Sequence, residues 1–302
     1  MEDYKIINFS IIIPHYNSFE FLQKCLDAIP TNKDIQVIVV DDNSPDEERW
    51  NNITRLNPTV LFIRLDKNGG AGKARNEALK WAKGKWIIFS DADDYFVEKA
   101  FDIFREHINS NSDIIFFKST SIDVVTGLAS DRHLHINELI DKYNVDDLDS
   151  IGNLRYRLYG PPCKMIKREL LEQKQIFFDE VRYSNDVMFS VKVGYYADKI
   201  EVDKRIVYCI STNLNSLTRT MNYDAVMCRY QVTLRYNNFL KRVGAGKYRA
   251  VILRYLILGA KVNVGCMLEM IKLGLKYKTN FFSGLNRWRQ IFNYNRRQLT
   301  HF

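Results

Sequence analysis

Short apolar runs recur along the N-terminal portion of the chain, at 9–13, 37–40, 60–65, 86–89 and 114–117. Each has the length of a strand, and none shows the strict apolar-polar alternation of a strand with one face in water. The segments between them, such as 20–29 and 72–83, carry apolar residues at helical spacing. Strand, helix, strand repetition admits few folds, because parallel strands can be joined only by a long crossover. It predicts an α/β chain with a mostly parallel sheet and helices on both faces. Ligands of such sheets bind beyond the carboxyl ends of the strands.

The residues that follow these runs are the candidates for chemistry. Pro14, His15, Tyr16 and Asn17 follow the first, Asp41 and Asp42 the second, and Asp91, Asp93 and Asp94 the fourth. Three carboxylates within four positions repel one another unless they are solvated, hydrogen-bonded or neutralised by a cation. Two acidic clusters and an aromatic ring on one sheet edge suit a diphosphate ligand that brings its own Mg²⁺ or Mn²⁺. For Asp94 the simpler reading is an N-cap of the helix-like run 96–108. The glycine stretch NGGAGKARN (68–76) is neither a Walker A nor a GxGxxG motif. Two roles stand open for it: a tight turn that caps a helix, or backbone amides that, with Lys73 and Arg75, hold nucleotide or fix the acidic loop.

Charge divides the chain. Residues 225–302 hold 15 Lys and Arg against the single acid Glu269, a balance of +14 within a total of +8. The division predicts a domain over 1–224 and a basic, amphipathic helical extension over 225–302. Within 248–278, apolar residues recur at helical spacing among lysines and arginines, with no run long enough to span a bilayer. That pattern suits a helix lying on an anionic membrane surface. The alternative is packing on the sheet domain or against a second copy of the chain, as a homo-oligomer. Nucleic acid is not expected as a partner, since the basic residues are spread through an apolar pattern. Five widely spaced cysteines without a CxxC pair point to a reducing compartment, and the N-terminus carries no secretion-signal pattern.

SIIIPHYN (10–17), VIVVDDNSPDE (37–47), NGGAGKARNEAL (68–79), FSDADDYF (89–96) and YSNDVMFS (183–190) together resemble the inverting, nucleotide-sugar-dependent glycosyltransferases of family 2. The resemblance implies a GT-A fold, a Rossmann-like sheet, over residues 1 to about 220. It implies transfer of a sugar from a nucleoside-diphosphate donor, UDP foremost, to a hydroxyl of a glycan or lipid-linked oligosaccharide. By the same resemblance, Pro14, Tyr16 and Asp41 are the nucleotide-base pocket, with Asp42 an adjacent candidate. Asp93 is the metal ligand and Asp91 its DxD partner, near ribose or sugar. Arg75 and Asn76 brace the acidic loop, and Arg219 in NSLTRT (215–220) contacts phosphate.

Inversion needs one carboxylate to take the acceptor's proton. Asp186 is assigned that role by resemblance, although Asn185 stands where the family usually has Glu; Asp179 and Glu180 are the alternative bases, and a helix N-cap is the structural alternative for Asp186. His133 and His135, one residue apart, read as a surface loop before they read as metal ligands. The expected location is the cytoplasmic face of the plasma membrane, as a peripheral protein. A nucleotidyltransferase lacks its activating basic glycine loop here. From a different class, a catalytically silent nucleotide-binding scaffold of a glycan-assembly complex is the competing function.

Overall fold

The computed structural model describes residues 6–212 and 220–282. Strands β1 (Phe9–His15), β2 (Ile35–Asp41), β3 (Leu61–Arg64) and β4 (Trp86–Phe89) fall on the first four apolar runs. They pair in parallel, in the order β3-β2-β1-β4. Helices α1 (Phe19–Asp27), α2 (Glu47–Leu56) and α3 (Ala71–Leu79) make the crossovers.

The runs are continuous because both faces are covered. Phe9, Ile11, Ile13, Trp86 and Ile88 enter one core with α1 and α2 residues such as Leu22 and Trp50. Ile12, Ile38, Val40, Ile87 and Phe89 enter the other, against Ala74 and Ala78 of α3. Successive side chains point to opposite faces, so an apolar residue is needed at every position.

Beyond β4 the order departs from simple parallel winding. The segment at 96–108 is not one helix: β5 (Tyr95–Phe96) is a two-residue strand, and α4 (Ala100–Glu106) starts four residues later. Strand β6 (Ile114–Asp123) does not neighbour β4, because β7 (Lys164–Lys167) lies antiparallel between them. Between β6 and β7 run α5 (Leu134–Asp141) and α6 (Leu148–Arg157); after β7 come α7 (Arg168–Gln173) and α8 (Val187–Tyr196). Strand β8 (Ile200–Thr212) pairs in parallel with β6 and antiparallel with β5, which closes the eight-stranded order β3-β2-β1-β4-β7-β6-β8-β5. The architecture is mixed α/β with a mostly parallel sheet, as expected.

The C-terminal helices belong to the same body. Helix α9 (Tyr223–Arg242) is capped by Asn222, whose Oδ1 accepts from Ala225 N–H at 2.9 Å. Its Val232, Tyr236, Phe239 and Leu240 share a core with Tyr159 and with Val187, Met188 and Val191 of α8. Tyr236 anchors that contact, accepting from the Tyr159 hydroxyl at 3.0 Å and donating to Tyr156 O at 2.8 Å. Helices α10 (Ile252–Val262) and α11 (Val264–Lys276) then pack on α9 through Tyr230, Leu258, Cys266 and Met270. Among the described residues, no helix is long and apolar enough to cross a membrane.

The turn into β4 depends on a close backbone approach. A Cβ on Gly84 would stand 2.4 Å from Ser10 N and 2.5 Å from the Phe9 carbonyl carbon. Gly84 N–H also donates to the buried Ser10 Oγ at 2.8 Å. Neither neighbour can rotate away, since both are β1 backbone. Gly84→Ala is expected to lower the unfolding free energy by about 1–3 kcal/mol, the cost of overpacking. A urea midpoint equal to wild type would show that the turn accommodates a methyl group.

Candidate active site

The carboxyl ends of β1 and β2 are tied together by buried hydrogen bonds. His15 Nε2 accepts from Ser18 N–H at 3.1 Å, so the ring proton sits on Nδ1 and faces Asp41 Oδ1 at 2.8 Å. Asp41 also accepts from Ser44 Oγ at 2.5 Å and from Ser44 N–H at 2.9 Å. Burial alone would raise its pKa, yet the hydrogen bonds from His15 and Ser44 hold it below the ordinary carboxylate value. Asp42 accepts from Gly69 N–H and Gly70 N–H, both at 2.7 Å. The two acids therefore shape loops. Neither lines the cleft beside them, and both oxygens of each already have partners, which does not match a direct base contact from Asp41 or Asp42. The glycine amides likewise serve Asp42, which makes the stretch at 68–76 a pinned turn into α3 in place of an open phosphate loop.

Helix α3 carries the residue that organises the rest. Arg75 is buried; its Nη2 donates to Asp91 Oδ1 at 2.5 Å and its Nη1 to Asn185 Oδ1 at 2.9 Å. The guanidinium carbon lies 5.2 Å from the Phe178 ring centroid. The next residue, Asn76, clamps the same loop, donating to Phe178 O at 3.0 Å and accepting from Phe178 N–H at 2.8 Å. The loop must come this close: a Cβ on Gly72 would meet Asp179 O at 2.3 Å. Arg75 braces the acidic turn, while Asn76 reaches only the loop at Phe178 and Glu180. The bracing extends 110 residues along the chain, to Asn185.

The three aspartates after β4 have three different fates. Asp91 faces Arg75. Asp94 is buried and does not cap a helix; its Oδ1 accepts from Ser211 N–H on β8 at 2.7 Å, which holds the acidic turn on that strand. Asp93 lines the cleft with no side-chain bond to another described residue, half-buried between the other two. Burial first, and the charge of Asp91 second, push its pKa up to about 6. A carboxylate held that way has hard oxygen to offer a cation. Among the described residues, no group of three His, Cys, Asp or Glu side chains forms a ready metal cage; a Mg²⁺-type site needs only one or two carboxylates when substrate phosphates complete the shell.

Asp186 stands at the start of α8 without capping it: no side-chain bond to the helix is formed. Burial raises its pKa, partly offset by the positive charge of Arg75. The alternative bases are engaged elsewhere. Asp179 pairs with Arg235 at 3.0 Å and Glu180 meets Asn76 at 3.3 Å, and neither lines the cleft. His133 bonds Ser121 Oγ at 2.7 Å, also away from the cleft. Arg219 lies outside the described residues.

A single cleft of about 760 Å³ brings together Pro14, Tyr16, Arg75, Asp91, Asp93 and Asp186, a volume within the ordinary range of small-molecule sites. Tyr16 is 51% exposed, with its ring available to a ligand. The cleft also contains residues that received no site role from the sequence: Arg132, Tyr159, Arg182, Tyr183, Arg229 and Arg254. Arg229 and Arg254 belong to α9 and α10, so the basic extension forms one of its walls.

A strand-end acidic turn braced to a distant acid-bearing loop can be compared with proteins of known family. Residues 10–174 match the family model "Glycosyl transferase family 2". The glycosyltransferase EpsJ of Bacillus subtilis is 29% identical over 252 residues, 79% of this chain and 72% of its own length. The poly(ribitol-phosphate) beta-glucosyltransferase of Bacillus spizizenii is 30% identical over 202 residues, covering 64% of this chain; the chain spans only 30% of that longer protein. Among solved structures, residues 1–349 of Staphylococcus aureus TarS, in complex with UDP-GlcNAc, superpose with a TM-score of 0.70 at 22% identity, over 90% of this chain and 80% of that one, a likeness of fold. The matched model covers the whole strand-end half of the cleft, including Arg75 and the Asp91 to Asp94 turn, and the chain belongs to glycosyl transferase family 2.

Proposed function

We propose that this glycosyltransferase moves a sugar from a UDP-sugar to a hydroxyl of a cell-surface glycan or polyol-phosphate polymer, with inversion at the anomeric carbon. The observation that carries the reading is one cleft in which the Arg75 guanidinium ties Asp91 of the acidic turn to Asn185, the residue before Asp186. The UDP-GlcNAc complex of a structural neighbour and the name of the poly(ribitol-phosphate) relative support donor and acceptor class. Tyr16, exposed beside Pro14, would stack on the nucleobase. Asp93, with Asp91 beside it, would hold Mg²⁺ or Mn²⁺; a bound cation would offset the negative charge that grows on the departing diphosphate. Asp186 would take the proton of the attacking hydroxyl, and its raised pKa brings it nearer the operating range of a general base. Arg75 ties the acidic turn to the loop that leads to Asp186.

Two substitutions separate binding from chemistry. Asp93→Ala is expected to abolish the metal-dependent component of UDP binding in calorimetry; equal metal-dependent affinity in the variant and wild type would remove the acidic turn from the site. Asp186→Asn should leave UDP binding nearly intact and slow transfer by roughly 10²–10⁴. The sign of the pH effect follows. A base works deprotonated, so wild-type kcat/KM should fall as pH drops through the raised Asp186 pKa; the Asn variant should lose that contribution and keep only the limb set by Asp93, whose pKa is pushed up to about 6. A variant with wild-type turnover would assign Asp186 a structural role.

Docking on an anionic membrane is the location we propose, and α11 supports it. Val264, Leu268 and Leu275 are 63%, 51% and 64% exposed along one face, beside the exposed Lys272 and Lys276. Such a face would bury apolar side chains among headgroups while each nearby lysine contributes about 1 kcal/mol. Vesicle flotation tests it: Leu268→Glu/Leu275→Glu should lose salt-sensitive binding to anionic vesicles, and no wild-type binding at low salt would refute it.

A further inference from the structure

The cleft carries mixed charge on one side and only positive charge on the other: Arg49 pairs with Glu20, Arg75 with Asp91, and the charge of Arg132 reaches Asp93. Its carboxylates are Glu20, Asp91, Asp93, Asp94 and Asp186, contributed by α1, the turn after β4 and the start of α8. The wall beyond Asp186 is built from the loop at 182–184 and from α9 and α10, and the described residues of those segments that line the cleft include no carboxylate. They include Arg182, Arg229 and Arg254, with Tyr183 and Tyr255 between them. The Tyr183 ring holds two of these cations near it: the guanidinium carbons of Arg229 and Arg182 lie 5.1 and 5.8 Å from its centroid. Arg229 is steadied further by a bond from Nη1 to Thr220 O at 2.6 Å.

We infer that this wall is an acceptor subsite for a polyanion of polyol units joined by phosphodiesters, with the arginines engaging phosphate while Asp186 meets a polyol hydroxyl. The inference rests on the glycosyltransfer reading for the position of the reacting hydroxyl. The physical argument is one of complementarity. A neutral glycan seated on these guanidinium groups would displace their water and return no negative charge, an exchange that costs most at Arg229 and Arg254, which are partly buried. A phosphodiester accepts the forked donors of arginine directly. The donor's diphosphate belongs where Asp91 and Asp93 stand ready for its cation; Arg229 of α9 instead lies over the ring of Tyr183, on the loop that leads to Asp186. The basic extension, read from sequence as a membrane element, thereby also serves the reaction.

The test uses the full chain and two probes, a short polyol-phosphate oligomer and its phosphate-free polyol counterpart, with UDP affinity as a separate readout. Wild type should bind the phosphate oligomer more tightly than the neutral one, and less tightly as ionic strength rises. Arg182→Gln and Arg254→Gln should each weaken that binding roughly tenfold, the loss of one charge-assisted contact, while the UDP dissociation constant holds. Arg229→Lys, which keeps the charge, should weaken it less than Arg229→Gln; circular dichroism of each variant excludes misfolding as the cause. Equal wild-type affinity for the two oligomers overturns the proposal, as does loss of UDP affinity in the Gln variants, which would assign the arginines to the donor diphosphate. Failure of wild type to bind UDP at all would instead overturn the glycosyltransfer reading, whatever the oligomers do.

Discussion

The geometry of the cleft depends on one buried cation. Arg75 sits on α3, with its guanidinium between Asp91 on the acidic turn and Asn185 on the loop before α8. A charged group taken out of water is tolerated only when its donors find acceptors. Here two nitrogens are satisfied by loops that are distant in sequence, and the guanidinium lies beside the Phe178 ring. The Asp91 side chain is 40% exposed, so the pair is weaker than a fully buried one. Its consequence is positional: Asp91 of the acidic turn and Asn185, the neighbour of Asp186, share one fixed reference.

The acids after β2 organise the layer of loops around that cation. Asp41 uses its oxygens on His15 and Ser44, and Asp42 uses its own on the amides of Gly69 and Gly70. The effect is to present Pro14 and Tyr16 on one side and the N-terminal end of α3 on the other. Family motifs mix residues that meet a ligand with residues that hold those in place, and spacing alone does not separate the two. Burial does: Asp41 and Asp42 are nearly inaccessible, whereas Tyr16 is half exposed.

The C-terminal helices change what the catalytic unit is. Their apolar positions divide between a face that packs on α8 and Tyr159 and a stripe on α11 left toward solvent. Their arginines divide as well, Arg229 and Arg254 turning into the cleft. A tail with a charge of +14 can therefore serve an anionic surface and an anionic substrate with different residues. The α9 tyrosines tie both parts to the body of the protein, Tyr236 to Tyr156 beside the cleft wall and Tyr230 to Met270 of α11.

The strands β1 to β4, their parallel pairing and the sheet edge on which the cleft opens were legible in the sequence, because burial on both faces imposes unbroken apolar runs and parallel strands need long crossovers. The acidic turn and its Arg75 brace were legible too, each within a local motif. The segment at 94–100 was not: its apolar spacing reads as helix, but Tyr95 and Phe96 pair with β8 and Asp94 is used by Ser211, partners more than 110 residues away. Nor could spacing place β7 between β4 and β6, put Asp186 in the cleft with Asp179 and Glu180 outside it, or bring Arg182, Arg229 and Arg254 to one wall. Those outcomes depend on which loops pack together, and a polar side chain carries no periodic mark of the neighbour it will meet. Local pattern decides what a segment can bury; only the assembled tertiary structure decides which charges face each other.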